Sequence, residues 1–200
     1  FCATSKLKRI RNLNPDEIFD QASTINLQSK FYYNRPISNI VFMGMGEPLL
    51  NYINLIEGIN KITSKDGLWM SPKRITVSTS GISKLIIKMA DENVKFNLAV
   101  SLHSAVEKTR NKIMPFTIKF PLTDLKEAIK YWYNKTQKIV TYEYIVWKGI
   151  NDDMNHINAL VDFCKSSPSK VNIIEYNKTS NDFFISADDN NTLLQKFINK

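Results

Sequence analysis

Five short apolar runs recur along the chain, and a small or polar motif follows each one at once. The runs are Ser38–Met43, Arg74–Val77, Phe96–Val100, Val140–Trp147 and Val171–Ile174. They are rich in Val, Ile and aromatic residues and mostly near-continuous, the pattern of parallel strands covered on both faces. Helical patterns lie between them. The first opens at Pro15-Asp16-Glu17 behind Asn14 as N-cap, with Ile18, Phe19, Ala22, Ile25 and Leu27 on one face. Others are expected over Ile53–Thr63, Ile82–Glu92, Leu122–Trp132 (opened by Thr123-Asp124), Met154–Ser166 and Asp188–Lys200, the last capped by Asp188 or Asp189. Strand alternating with helix in this way predicts an α/β fold with right-handed crossovers.

In such folds ligand chemistry collects at the carboxyl ends of the strands. Five motifs stand at those ends: Gly44-Met45-Gly46-Glu47-Pro48, Ser78-Thr79-Ser80-Gly81, Ser101-Leu102-His103-Ser104, Gly149-Ile150-Asn151-Asp152 and Glu175-Tyr176-Asn177. Loops after strands are polar in any case, so the weight lies in the coincidence of five. Gly44 and Gly46 permit positive φ and close approach of a ligand to the backbone. Pro48 biases Glu47 toward extended geometry and so aims its carboxylate, which suits an ammonium group. The alternative is a glycine-rich turn with a solvated Glu. Neither a Walker phosphate loop nor a dinucleotide fingerprint is present. Ser78, Thr79 and Ser80 offer hydroxyls to a ribose or carboxylate, or else cap the next helix. His103 is one of two histidines, and a lone His at a strand end is more often structural than catalytic. His156 falls on a separate helix pattern, which disfavours a zinc pair.

The 200 residues are 43% hydrophobic and 23% charged, enough to bury a core in one domain without disulfides and too apolar for disorder. A net charge of +8 favours a polyanionic partner. Lys6, Lys8, Arg9 and Arg11 form a basic run that fits either a solvated face or phosphate contact. Two cysteines suit a reducing, cytoplasmic setting: Cys164 reads as core filler, and Cys2 stands in the unusual context Phe1-Cys2-Ala3-Thr4. No apolar stretch reaches the length of a membrane span. Phe1 reads as the middle of a longer chain.

Taken together these pieces resemble the RlmN-type radical S-adenosylmethionine methyltransferases. The matching stretches are Phe1-Cys2-Ala3-Thr4, Arg11-Asn12-Leu13, Gly44 to Leu49, Ser78 to Gly81, Leu98 to His103, Arg110 with Met114-Pro115, Glu143-Tyr144, Gly149 to Asp152, and Lys170 to Ile174 with Tyr176-Asn177. The resemblance implies a partial (βα)6 barrel of the radical SAM type, truncated at both ends, with residues 1–200 forming an incomplete core domain. It implies a [4Fe–4S] cluster and S-adenosylmethionine as cofactors, with Cys2 as the third cysteine of a Cys-x3-Cys-x2-Cys loop. Gly46 and Glu47 would hold the methionyl ammonium, and Ser78 would face the ribose or methionyl end. Ser101, Leu102 and His103 would line the cofactor pocket, and Asn177 would contact the nucleoside. The implied reaction is methylation of adenine C2 in 23S ribosomal RNA, and in some members transfer RNA, through a methylated cysteine, with an external electron donor reducing the cluster. The methyl-bearing and resolving cysteines would lie outside this chain, which alone is expected neither to assemble a stable cluster nor to turn over. Ser5 and Lys8 stand where the family usually has glycines. Ribosomal versus transfer RNA, C2 versus C8 and oligomeric state stay open. So do two other readings: a radical SAM enzyme with another substrate, and a cluster-free RNA-binding module.

Overall fold

The computed structural model describes Cys2, Thr4 and residues 7–176. Its elements alternate as α1 (Pro15–Tyr33), β1 (Ile40–Phe42), α2 (Tyr52–Thr63), β2 (Ile75–Thr79), α3 (Ser83–Asp91), β3 (Asn97–Ser101), α4 (Glu107–Ile113), α5 (Leu122–Thr136), β4 (Val140–Val146), α6 (Met154–Cys164) and β5 (Ser169–Glu175). The strands run in the order β1-β2-β3-β4-β5 in an open, parallel sheet. This is the expected α/β class, and an open sheet is compatible with a partial barrel. The chain divides into two compact units, Phe1–Thr79 with Val94–Leu98 and Ser80–Asn93 with Ala99–Lys200, so that β3 gives its first two residues to one and its last three to the other.

In the first unit, β1 pairs with β2 in the register Ile40↔Ile75 and Phe42↔Val77. Helix α1 starts on a full capping box: Asn14 Oδ1 accepts from Glu17 N, and Glu17 Oε2 accepts from Asn14 N, both at 2.9 Å. It lies against α2 at Gly58, where an added Cβ would stand 2.6 Å from Ile18 Cγ2. The expected apolar face of α1 is corrected here. Ile18 is buried, but Ile25 and Leu27 are 54% and 63% exposed, and the second buried residue is Asn26, whose Oδ1 accepts from Ile37 N. A buried side chain that ties down the following loop replaced the apolar stripe.

In the second unit, α3 packs on α5 and the strands β3, β4 and β5 pair in parallel. Tyr142 and Tyr144 of β4 are fully buried on one face, with the Tyr142 ring edge-on to Phe163 of α6. Coverage on both faces does not extend to β5: Lys170, Val171 and Asn172 are exposed, as expected of a strand paired on one side only among the described residues. Helix α4 was not expected, because its sequence, Glu107-Lys-Thr-Arg-Asn-Lys-Ile, carries no apolar period. Helix α5 begins at Leu122 as expected, with Thr123 and Asp124 in its first turn behind Pro121, and Leu122 N donates to Glu107 Oε2 at 2.8 Å. The helix expected over Asp188–Lys200 and its caps lie outside the described residues.

Candidate functional site

The expected site residues of the first unit gather where β1 and β2 end. Gly46 has φ of +88°, and Glu47 is extended at φ −110° and ψ 112° ahead of Pro48. Glu47 Oε1 accepts from Leu49 N at 3.1 Å and from Thr79 Oγ1 at 2.7 Å. The carboxylate is therefore held by its own turn and by the last residue of β2. A Cβ built on Gly44 or Gly46 would meet no atom within 4 Å, which leaves a gap beside the pinned carboxylate for a ligand to reach the backbone. Such a cradle fits the amino-acid end of S-adenosylmethionine. Ser78 is buried near the end of β2. Capping does not explain the Ser78–Ser80 hydroxyls, since the N-cap of α3 is Ile82 without a side-chain bond. Sequence reasoning named Thr79 but missed its bond to Glu47, which spans 32 residues.

Cys2 is exposed, with Sγ 2.9 Å from Thr4 Oγ1. Cys164 is half-buried on α6, where burial pushes its thiol pKa up, away from a ligating thiolate. Among the described residues no group of three or more His, Cys, Asp and Glu is placed to hold a metal. Cys2 is thus one thiol where a [4Fe–4S] cluster takes several. The basic run is partly committed. Arg11 forms a bidentate pair with Glu17 at 2.6 and 2.7 Å, and Arg9 Nη2 donates to Asn12 Oδ1. Lys6 lies outside the described residues, as does Asn177.

In the second unit Ser101 ends β3, and Leu102 and His103 turn away from it. His103 sits at φ +55° and is 2% exposed. Its Nδ1 accepts from Ile145 N at 3.2 Å, so the proton of the neutral ring is on Nε2. Burial, reinforced by the Arg110 charge, pushes its pKa down to about 3. The ring is a neutral part of the loop's framework. Asn151 organises the same region and is fully buried. Its Nδ2 donates to His103 O and Ile145 O at 2.7 and 2.8 Å, and its Oδ1 accepts from Trp147 N at 2.7 Å. Arg110, also fully buried, reaches from α4 to two loop carbonyls: Nη2 to Ser80 O at 2.6 Å and Nε to Leu102 O at 3.3 Å. Desolvation brings its pKa down to about 10, and the Glu107 charge opposes that shift.

No protein-family model matches the chain. It is 68% identical over 177 residues to a probable dual-specificity RNA methyltransferase RlmN of Flavobacterium psychrophilum, a match covering 88% of this chain and 51% of the relative. It is 40% identical over 177 residues to the protein of the same name in Thermus thermophilus, covering 88% and 50%. The fold superposes on a radical SAM methyltransferase of Sphaerobacter thermophilus with a TM-score of 0.94 at 30% identity, over 100% of this chain and 59% of that one. The chain spans about half the length of the curated relatives it matches. Over that half, and at these identities, the chain is similar to the proteins named RlmN dual-specificity RNA methyltransferases.

Proposed function

We propose that this chain is the cofactor-binding core of a radical S-adenosylmethionine enzyme that methylates C2 of adenine in 23S ribosomal RNA and transfer RNA by way of a methylated cysteine. The observation that carries the reading is 68% identity to a dual-specificity RNA methyltransferase. The pinned carboxylate of Glu47 beside two open glycines supports it from within the molecule. In this reading Gly46 and Glu47 take the methionyl ammonium of S-adenosylmethionine, and Ser78 takes its ribose or methionyl end. Ser101, Leu102 and His103 line the cofactor pocket and Asn177 contacts its nucleoside. When bound, S-adenosylmethionine would supply the methyl group and, beside a [4Fe–4S] cluster served by an external electron donor, the radical chemistry. Cys2 contributes one thiolate to that cluster. What these residues do is bind and orient. Burial lowers the pKa of His103 to about 3, and its Nδ1 accepts from Ile145 N, so in this reading the ring serves as a neutral part of its loop.

The test uses a protein of the relatives' full length that carries this core, reconstituted without oxygen. It is given a reductant, S-adenosylmethionine, and transcripts of 23S ribosomal RNA or transfer RNA. Nucleoside mass spectrometry is expected to find 2-methyladenosine in both RNAs, and Glu47→Gln is expected to weaken cofactor binding. Methyl transfer to C8, or to neither RNA, defeats the proposal.

A further inference from the structure

The strands β3, β4 and β5 of the second unit carry a polar row of which only Ser101 has a role above. Ser101 pairs with Glu143, and Glu143 pairs with Asn172, so the three stand side by side at one level of the sheet. Residues paired across a parallel ladder project to the same face. Alternation puts Tyr142 and Tyr144 on the other face, the one where Tyr142 meets Phe163. The Glu143 face is therefore the one without α6.

Glu143 is only 8% exposed. Asn172 Nδ2 donates to its Oε2 at 2.8 Å, and Asn172 itself is open to solvent. The other carboxylate oxygen accepts no hydrogen bond among the described residues, and no Lys, Arg or His of theirs forms an ion pair with it. A sunken carboxylate is costly unless it is paired or hydrogen-bonded, and one amide meets a fraction of its four acceptor positions. The arrangement is that of an acceptor held in place by an amide on one side and left for a donor on the other. Asn172 at the accessible end and Ser101 at the far side of the row are neutral, so the row fits a neutral, hydrogen-bonding ligand rather than a phosphate.

We infer that Glu143, held by Asn172, is a ligand-binding residue that accepts a hydrogen bond from a ribose hydroxyl or the exocyclic amine of an adenosine. The inference rests on the proposed function, in which adenosine enters twice, as part of the cofactor and as the target nucleotide. The two sources share this donor chemistry and are separable by experiment.

Glu143→Gln keeps the shape and removes the charge. In a protein of the relatives' full length that carries this core, equilibrium binding is measured for S-adenosylmethionine, S-adenosylhomocysteine and a 23S ribosomal RNA transcript. Thermal melting is recorded alongside. A loss of tenfold or more for both cofactor forms, with RNA unchanged, assigns the contact to the cofactor nucleoside. The same loss for RNA alone assigns it to the target adenosine. Loss for S-adenosylmethionine but not S-adenosylhomocysteine means that the carboxylate faces the sulfonium charge, and overturns the inference. Equal binding of all three ligands, or a common loss that follows a lowered melting temperature, makes Glu143 structural and overturns it too. Asn172→Ala leaves the carboxylate in place but unheld, and is expected to weaken the same ligand by about half as many decades. It serves as the reading if Glu143→Gln does not fold. A wild-type protein that binds neither cofactor nor RNA sinks the proposed function first, and this inference with it.

Discussion

Thr79 Oγ1 stands 2.7 Å from Glu47 Oε1 and so fastens the loop after β1 to the end of β2. The bond acts on direction: Leu49 N holds the same oxygen from within the turn, and Thr79 fixes the torsion that remains. Thr79→Val keeps the volume of a residue that is 1% exposed and removes the hydroxyl. One such bond is worth about 1 kcal/mol, which is roughly a fivefold change in an equilibrium constant. S-adenosylmethionine affinity, measured by calorimetry, is expected to fall by about that factor, with a melting temperature only a few degrees lower. Unchanged affinity would separate Glu47 from the cofactor.

Asn151 joins backbone groups of the loop after β3, of β4 and of the turn after β4, at His103, Ile145 and Trp147. All three bonds are lost in Asn151→Ala, leaving buried donors and acceptors unmet at roughly 1–3 kcal/mol each. The expected cost is about 4 kcal/mol in urea denaturation, well above that of an ordinary surface change. Asn151→Asp keeps only the acceptor for Trp147 N and sets a charge against two carbonyls, so it is expected to be at least as damaging.

The strands were legible because their apolar runs have little other use, and the observed bounds lie within two residues of the expected ones. The carboxyl-end position of Glu47, Ser78 and Ser101 followed from the same runs. What stayed hidden has one physical cause. At Arg110, Asn151 and Asn26 a buried polar side chain does the work of an apolar one by bonding to distant backbone, and hydrophobic periodicity carries no trace of that. Helix α4 escaped notice because its most deeply buried residue is an arginine. The Thr79–Glu47 bond and the Glu143–Asn172 pair join positions 32 and 29 apart and become visible only once strands are in register.

His103 makes stability depend on pH in a definite direction. Its ordinary pKa is 6.5 and the folded value is about 3, lowered by burial. Between those values the unfolded chain holds a proton that the folded chain excludes. The contribution is full above pH 6.5 and is lost as pH falls toward 3, at up to about 1.4 kcal/mol per pH unit. Asn adopts positive φ more readily than most residues and can accept from Ile145 N, so His103→Asn is expected to fold and to lose this part of the slope. Denaturation curves collected from pH 7.5 to pH 4 compare the two, and equal slopes would mean that the ring protonates in the folded state.

Gly81 lies close against Leu125 and Arg110 in the second unit. Gly81 has φ of +98°, and a Cβ there would lie 3.1 Å from Leu125 Cδ1 and 3.3 Å from Arg110 Nη2. Gly81→Ala therefore carries backbone strain and crowds the guanidinium that donates to Ser80 O. It is expected to cost about 2 kcal/mol, from positive φ and packing together. Arg110→Lys tests the contact from the other side. An ammonium is a compact point charge without the planar fork that spans Ser80 O and Leu102 O, and it loses its proton more readily when buried. A loss of about 2–3 kcal/mol is expected. The two changes touch one contact, so the double variant should lose less than the sum of the singles in urea denaturation. Strict additivity would mean that Gly81 and Arg110 act independently, and that the loop after β2 does not depend on their contact.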